Sequence, residues 1–251
     1  MLRKKIEARI EALLASYPRT RPPLTLAHEE VYEEEYKRNR DGQTATTSAA
    51  QKLEEWMHRK VASIKGSPTL EIGAGTLNHL RFESIADYDV VEPFTALYEA
   101  RTESRRVRKF YDVLADVSLA SRYSRIISIA VLEHLPDLAG DLARSALLLN
   151  KQGVFQAGIP SEGGFLWWLG WRCSTGLAYY LRTGLDYGVL MRHEHINDSP
   201  TIIALIRHFF EDVSVKRFPT PFHQLSFYAY VEARHPRREF AEAFLDHRAT
   251  Q

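Results

Sequence analysis

"TLEIGAGTLNHL", residues 69–80, decides the fold of this 251-residue chain. Its first residues read as a buried strand, two glycines one residue apart break the run, and the remainder turns polar and helix-like. Glycine tolerates positive φ and lets a ligand approach the backbone with no Cβ in the way. An acid, Glu71, stands inside the apolar run two residues ahead of the turn.

Beyond residue 68, short β-rich runs alternate with helical patterns: "TLEIG", "YDVVEP", "VRKFYD", "SRIISIAV", "GVFQAGIP", "EDVSVKRF" and "QLSFYAYVEA". That alternation predicts parallel strands joined by crossovers, an α/β sheet with helices on both faces. Only "PTPFH" separates the last two runs, the spacing of a hairpin and hence of an antiparallel edge. Ahead of the sheet, Leu2, Ile6, Ile10, Leu13 and Leu14 fall on one helical face that Pro18 ends. This basic start lacks the uninterrupted apolar core and small-residue cleavage site of a signal peptide. Further helices are expected near 27–38 and 46–64. The predicted organisation is a helical extension or lid over 1–64, a core over 65–235 with a substrate-cap insertion at 161–198, and a tail over 236–251.

Hydrophobic residues at 45% and charged residues at 26% predict a packed core. A formal net charge of +1 supplies no field for nucleic acid, so no such partner is expected. The basic cluster Arg101, Arg105, Arg106, Arg108 and Lys109 reads as a solvated helix end. Cys173 is the only cysteine, which rules out a disulfide framework or a cysteine zinc site within one chain and fits a reducing cytoplasm.

Open α/β sheets bind ligands beyond the carboxyl ends of their strands, where Gly73 and Gly75 fall. Glu92 ends the next strand 17 residues after Gly75 and suits a ribose diol. Together they predict a nucleoside-containing cofactor. A dinucleotide fingerprint would place a third glycine where Asn78 stands, and Glu71 would serve a pyrophosphate poorly. The acid favours a cofactor carrying ammonium and sulfonium charge.

On these residues the chain resembles the class I S-adenosylmethionine-dependent methyltransferases. The matching stretches are "LEIGAGT", "VVEPF", "IISIAVLEHLPDL" and "LLLNKQGVFQAGIPS". The resemblance implies a Rossmann-like seven-stranded sheet, mostly parallel, with an antiparallel C-terminal hairpin, and S-adenosyl-L-methionine as cofactor. It implies Glu71, Gly73 and Gly75 at the methionine end, Glu92 on the ribose, and Asp112 at the adenine, with Asp116 as a competing choice. Ala130, Val131 and His134 would flank the cofactor. Leu77 stands where many relatives have a further glycine, so helix packing beside the turn must differ. Read as residues alone, Glu71 and Glu92 are alternatively strand-end charges, and Asp112 a helix N-cap.

The acceptor side is expected in the insertion. In "MRHEHIND", His193 and His195 point the same way if extended. His195, with His193 or His134 as substitutes, is the candidate base for a hydroxyl acceptor. Two histidines and a carboxylate can hold a divalent ion, but their spacing is not that of the zinc-protease helix, and no metal is assigned. "FLWWLGWRCSTGLAYYL", residues 165–181, is too short and interrupted for a membrane span. It reads as a packed cap over the site, or as an aromatic surface for sugars or a bilayer. Upstream, a stretch with Tyr32, Tyr36 and Arg40 is a solvated helix face or, as in relatives, a cover for the cofactor. The expectation is O-methylation of a small-molecule or glycan hydroxyl, with peripheral membrane contact or a lipid-linked substrate as a further option. The alternatives are a nucleotide-dependent oxidoreductase and a non-catalytic cofactor-binding relative.

Overall fold

The computed structural model describes residues 2–32 and 48–250. Seven strands, β1 (Thr69–Ile72), β2 (Tyr88–Val91), β3 (Lys109–Tyr111), β4 (Tyr123–Ile129), β5 (Leu149–Pro160), β6 (Phe210–Pro219) and β7 (Ser226–Pro236), form one sheet in the order β3-β2-β1-β4-β5-β7-β6. β7 runs antiparallel to β5 and β6, and the other pairs are parallel. The strands correspond to the seven runs legible in the sequence. Strand order reverses direction at β1, which opens a crevice at the tips of β1 and β4.

The two faces of the sheet are built differently. Leu70, Ile72, Ile126, Phe155, Ala157 and Val231 point into the larger core. There they meet α3 (Leu138–Leu148), α7 (Ser199–Phe209) and α8 (Arg238–Ala249). Each fully buried leucine or isoleucine contributes about 1.5–3 kcal/mol. Asp137 and Asp198 start α3 and α7 by accepting from the backbone N–H groups of Gly140 and Thr201.

The opposite face buries polar groups under α2 (Ser48–Val61), whose Met57 and Val61 pack on Tyr88, Val90, Ile127 and Tyr230. Arg125, fully buried, donates to Gln156 Oε1 at 2.8 Å and to Glu83 Oε1 at 2.6 Å. Gln156 in turn donates to the Val61 carbonyl and the Tyr230 hydroxyl, which ties α2 to the sheet. Burial alone would raise Glu83, but hydrogen bonds from His79 and Arg125 bring it down to about 2. A buried cation survives only with such partners.

Several expectations change. Within the expected extension or lid, α2 packs on the sheet itself: it covers β4, β5 and β7, with Met57 so close to Gly158 that a Cβ there would fall 2.9 Å from the methionine Cβ. α1 (Leu2–Ala15) lays Leu13 and Leu14 on the larger core. The expected tail is instead built mostly of α8, which packs on α3, and Arg248 Nη1 reaches Asp137 Oδ1 at 2.6 Å. Of the predicted helix at 27–38, residues 26–32 are helical and the rest, with Tyr36 and Arg40, lie outside the described residues. The glycine turn leads only into a 3-10 turn, Asn78–Phe82, because Leu77 adopts a left-handed backbone with φ 62°. The basic cluster is not all solvated: Arg106 donates to the Leu80 carbonyl and Arg108 grips both Asp89 oxygens. The insertion folds as α4 (Phe165–Trp171), a π-helical turn (Arg172–Gly176), α5 (Leu177–Thr183) and α6 (Tyr187–Glu194).

Candidate active site

The bend after β1 is held from β2. Gly73 and Gly75 both have positive φ, 73° and 51°. A Cβ on Gly73 would overlap the Val131 side chain, whereas one on Gly75 would meet nothing within 4 Å. Gly75 therefore leaves an open cradle at the strand tips. Glu92 closes it: Oε2 accepts from the Gly75 N–H at 2.8 Å and Oε1 from the Phe94 N–H at 3.0 Å. Each carboxylate oxygen keeps accepting capacity for a diol. Ala130 at the end of β4 also has positive φ, 54°, and donates its N–H to the Gly158 carbonyl at 2.7 Å. The bend so far assembles Gly73, Gly75, Glu92, Ala130 and Val131.

Glu71 is placed differently from a strand-tip acid. It is 2% exposed, on the α2 face, and accepts from the Tyr88 hydroxyl at 2.8 Å. Burial, against the Tyr88 hydrogen bond and the charge of Arg125, pushes its carboxyl up to about 7. Its influence on the bend is thus through charge and packing beneath it. Asp112 is exposed at the tip of β3 and caps no helix. Burial first, then the charges of Asp112 and Glu92, raise the Tyr98 phenol, so these two acids share a neighbourhood. Asp116 Oδ2 instead accepts from the Val113 N–H, closing its own turn.

The three histidines do not form the extended pair the spacing suggested. His193 lies on α6 and donates from Nδ1 to the Pro22 carbonyl at 2.7 Å, while His195 caps that helix. His195 and His134 meet edge to face with ring centroids 4.6 Å apart. His195 Nδ1 bonds Glu162 Oε1, which also accepts from Trp167 Nε1 at 2.7 Å. With Nδ1 donating to that carboxylate, Nε2 of the neutral ring carries the lone pair. His134 donates from Nδ1 to the Glu194 carbonyl at 2.9 Å. Burial would lower His134, but the bond to Glu194 and the Glu133 charge raise it, so it holds its proton more firmly. Burial would raise Glu194, yet His134, Tyr32 and Arg21 take it down to about 2. Tyr32 donates to Glu194 at 2.6 Å and Arg21 at 3.0 Å, which closes the rim from the N-terminal segment.

Glu162 and Glu133 were missed in the sequence. Glu162 lies two residues beyond the end of β5, within reach of the same strand-tip reasoning that finds Glu92. Glu133 is buried beside His134 with Oε2 lacking a hydrogen-bond partner, and burial raises its pKa. Among the described residues no three His, Cys, Asp or Glu side chains converge as a metal site. A hollow of about 540 Å³ opens between the 16–22 segment and Arg192, His195 and Ile196. A second, of about 450 Å³ between Asp212 and Arg234, lies at the opposite edge of the sheet, where no candidate residue reaches.

Sheet order, reversed hairpin and glycine bend together define the class I S-adenosylmethionine-dependent methyltransferase fold. No protein-family model and no curated protein matches the sequence. Solved structures do. The N-methyltransferase NodS from Bradyrhizobium japonicum, in complex with S-adenosyl-L-homocysteine, matches with a TM-score of 0.51 and 15% identity over 74% of this chain and 88% of that one. Burkholderia thailandensis 1,6-didemethyltoxoflavin-N1-methyltransferase gives 0.53 and 19% over 85% and 92%. The plantazolicin methyltransferase BpumL gives 0.54 and 12% over 94% and 99%. At these identities the likeness is one of fold.

Proposed function

We propose that the protein is an S-adenosyl-L-methionine-dependent methyltransferase that methylates a hydroxyl of a small-molecule or glycan acceptor, free or lipid-linked, with His195 as base. The observation that carries the reading is the Glu92 carboxylate, 5% exposed and clamped by two backbone N–H groups beside the open Gly75 cradle. The methyltransferase neighbours bound to S-adenosyl-L-homocysteine support the same cofactor.

Glu92 would hold the ribose hydroxyls, Asp112 the adenine, with Asp116 committed to its own turn. Gly73, Gly75, Ala130 and Val131 would line the rest, over Glu71. The bound cofactor supplies an electrophilic methyl group for direct displacement. His195 Nε2 would accept the proton of the acceptor hydroxyl, and Glu162 would orient the ring and stabilise the imidazolium. His134, ion-paired to Glu194, is a lesser candidate, and His193 is committed to Pro22. The hollow beside His195 has the size of a small-molecule site. A methyltransferase domain over 65–235, covered by α2, and a cytoplasmic setting fit this reading. Among the described residues no helix is long and apolar enough to cross a membrane.

The rim also supports a second acceptor class. Glu133, Glu162 and Glu194 surround two histidines, a setting that would attract an amine. Calorimetry with S-adenosyl-L-homocysteine, then labelled methyl transfer to cell-extract fractions, tests both. Absence of cofactor binding ends the methyltransferase reading, and the labelled product decides between hydroxyl and amine.

A further inference from the structure

α4, the π turn and α5 run on from one another over residues 165–183, with one face packed and the other bare. Inward, Trp167 meets the Tyr228 ring at 5.6 Å, and Trp171 and Tyr179 meet Tyr187 at 5.8 and 5.2 Å. Outward stand Phe165, Trp168, Leu169, Leu177, Tyr180 and Leu181, the last 75% exposed. The turn between β6 and β7 adds Phe222, 67% exposed, and Leu225. That turn is fastened to the start of α4 by the Phe165 N–H, which donates to Gln224 Oε1 at 2.9 Å. Two segments distant in sequence thus present one apolar surface. A packed cap accounts for the inner aromatics only, and water-exposed leucines at this density mark a contact surface.

We propose that this face docks on an anionic lipid bilayer. Charge selects the occupant. From Gly163 to Leu185 the chain has no Asp or Glu, and the exposed Arg172 stands on the bare face. Arg172 lies over the Trp168 ring at 5.3 Å, so a cation flanks the exposed aromatic. A second copy seated on the same face would bring Arg172 towards its own counterpart with no acid in the segment to answer it. A lipid phosphate answers it directly. Trp168 and Tyr180 suit the headgroup level, with leucine and phenylalanine below it, the composition of a helix lying in the membrane plane. At 1.5 Å per residue the segment is about 28 Å long, a flat footprint rather than a span. α4 begins beside Glu162, so docking would set the histidine rim close to the lipid surface.

The test is flotation of the full chain with vesicles of phosphatidylcholine, alone or mixed with phosphatidylglycerol. We expect recovery with the mixed vesicles and at least about fivefold less with phosphatidylcholine alone or at high salt. Leu177→Glu with Leu181→Glu should lower recovery at least about tenfold while circular dichroism and S-adenosyl-L-homocysteine binding stay unchanged. If that pair fails to fold, Arg172→Glu alone decides, by abolishing the preference for anionic vesicles. No flotation with either vesicle, or undiminished flotation of the variants, overturns the proposal. So does a concentration-dependent dimer in light scattering that Leu181→Glu dissolves while vesicles stay bare. Flotation does not depend on the methyltransferase reading: loss of cofactor binding would sink that reading and leave this one standing.

Discussion

The glycine bend and the histidine rim occupy the same edge of the sheet but are assembled from different materials. The bend is local: Gly73, Gly75, Glu92 and Phe94 lie within 22 residues on two neighbouring strands, and its bonds run from backbone N–H groups to one carboxylate. The rim gathers Arg21, Tyr32, Glu133, His134, Glu162, Glu194 and His195, joined almost wholly through side chains. A backbone-built site tolerates change around it and recognises a ligand common to many proteins. A side-chain-built site is specific to its chain, and each member can be removed separately.

The rim should therefore show the largest single-residue effect on turnover. His195→Ala is expected to lower kcat by about 10²–10⁴-fold with cofactor binding within about twofold, measured by labelled methyl transfer and calorimetry. Glu162→Gln should cost less and alter the pH profile of kcat, because it leaves the base present but poorly oriented. Equal activity of the His195 variant would move the chemistry to another rim member.

Beneath the bend, Glu71 provides a stability signature. Its folded-state carboxyl, at about 7 against an ordinary 4.5, binds a proton more tightly than in the unfolded chain. Its contribution is present at low pH, is lost as pH rises between those two values, and stays lost above them. The loss amounts to up to about 3 kcal/mol. Glu71→Gln should flatten that slope, read as the difference in Tm between pH 5 and pH 8, about the ends of the window. An unchanged slope would mean Glu71 is ionised throughout.

Glu92→Ala should weaken S-adenosyl-L-homocysteine binding about a hundredfold, roughly 2.7 kcal/mol, by removing both the diol partner and the clamp on Gly75. An unaffected affinity would separate the bend from the ribose. The smallest contrast is within the bend. Gly73→Ala should cost about 1–2 kcal/mol more than Gly75→Ala, since only the former collides with Val131 while both pay for positive φ. Urea denaturation of the two variants measures the difference.

That contrast in materials explains what the sequence disclosed. Strand runs and the glycine turn repeat a short-range pattern, so β1 to β7, Gly73, Gly75 and Glu92 could be read directly. The acid at 71 was visible, but its burial under Tyr88 depends on which face α2 covers, and no local signal states that. Likewise "MRHEHIND" could not reveal that a helix ends inside it and turns His193 and His195 to different partners. Leu77 shows the limit from the other side: a leucine holds a conformation favouring glycine because its side chain is fully committed to the core.

The Glu92 clamp makes the loops after β1 and β2 one mechanical part. Any redesign of 73–76 must reckon with 92–94, because a shift in either loop drags the carboxylate that anchors its counterpart. Engineering of this edge should vary both loops in a single library.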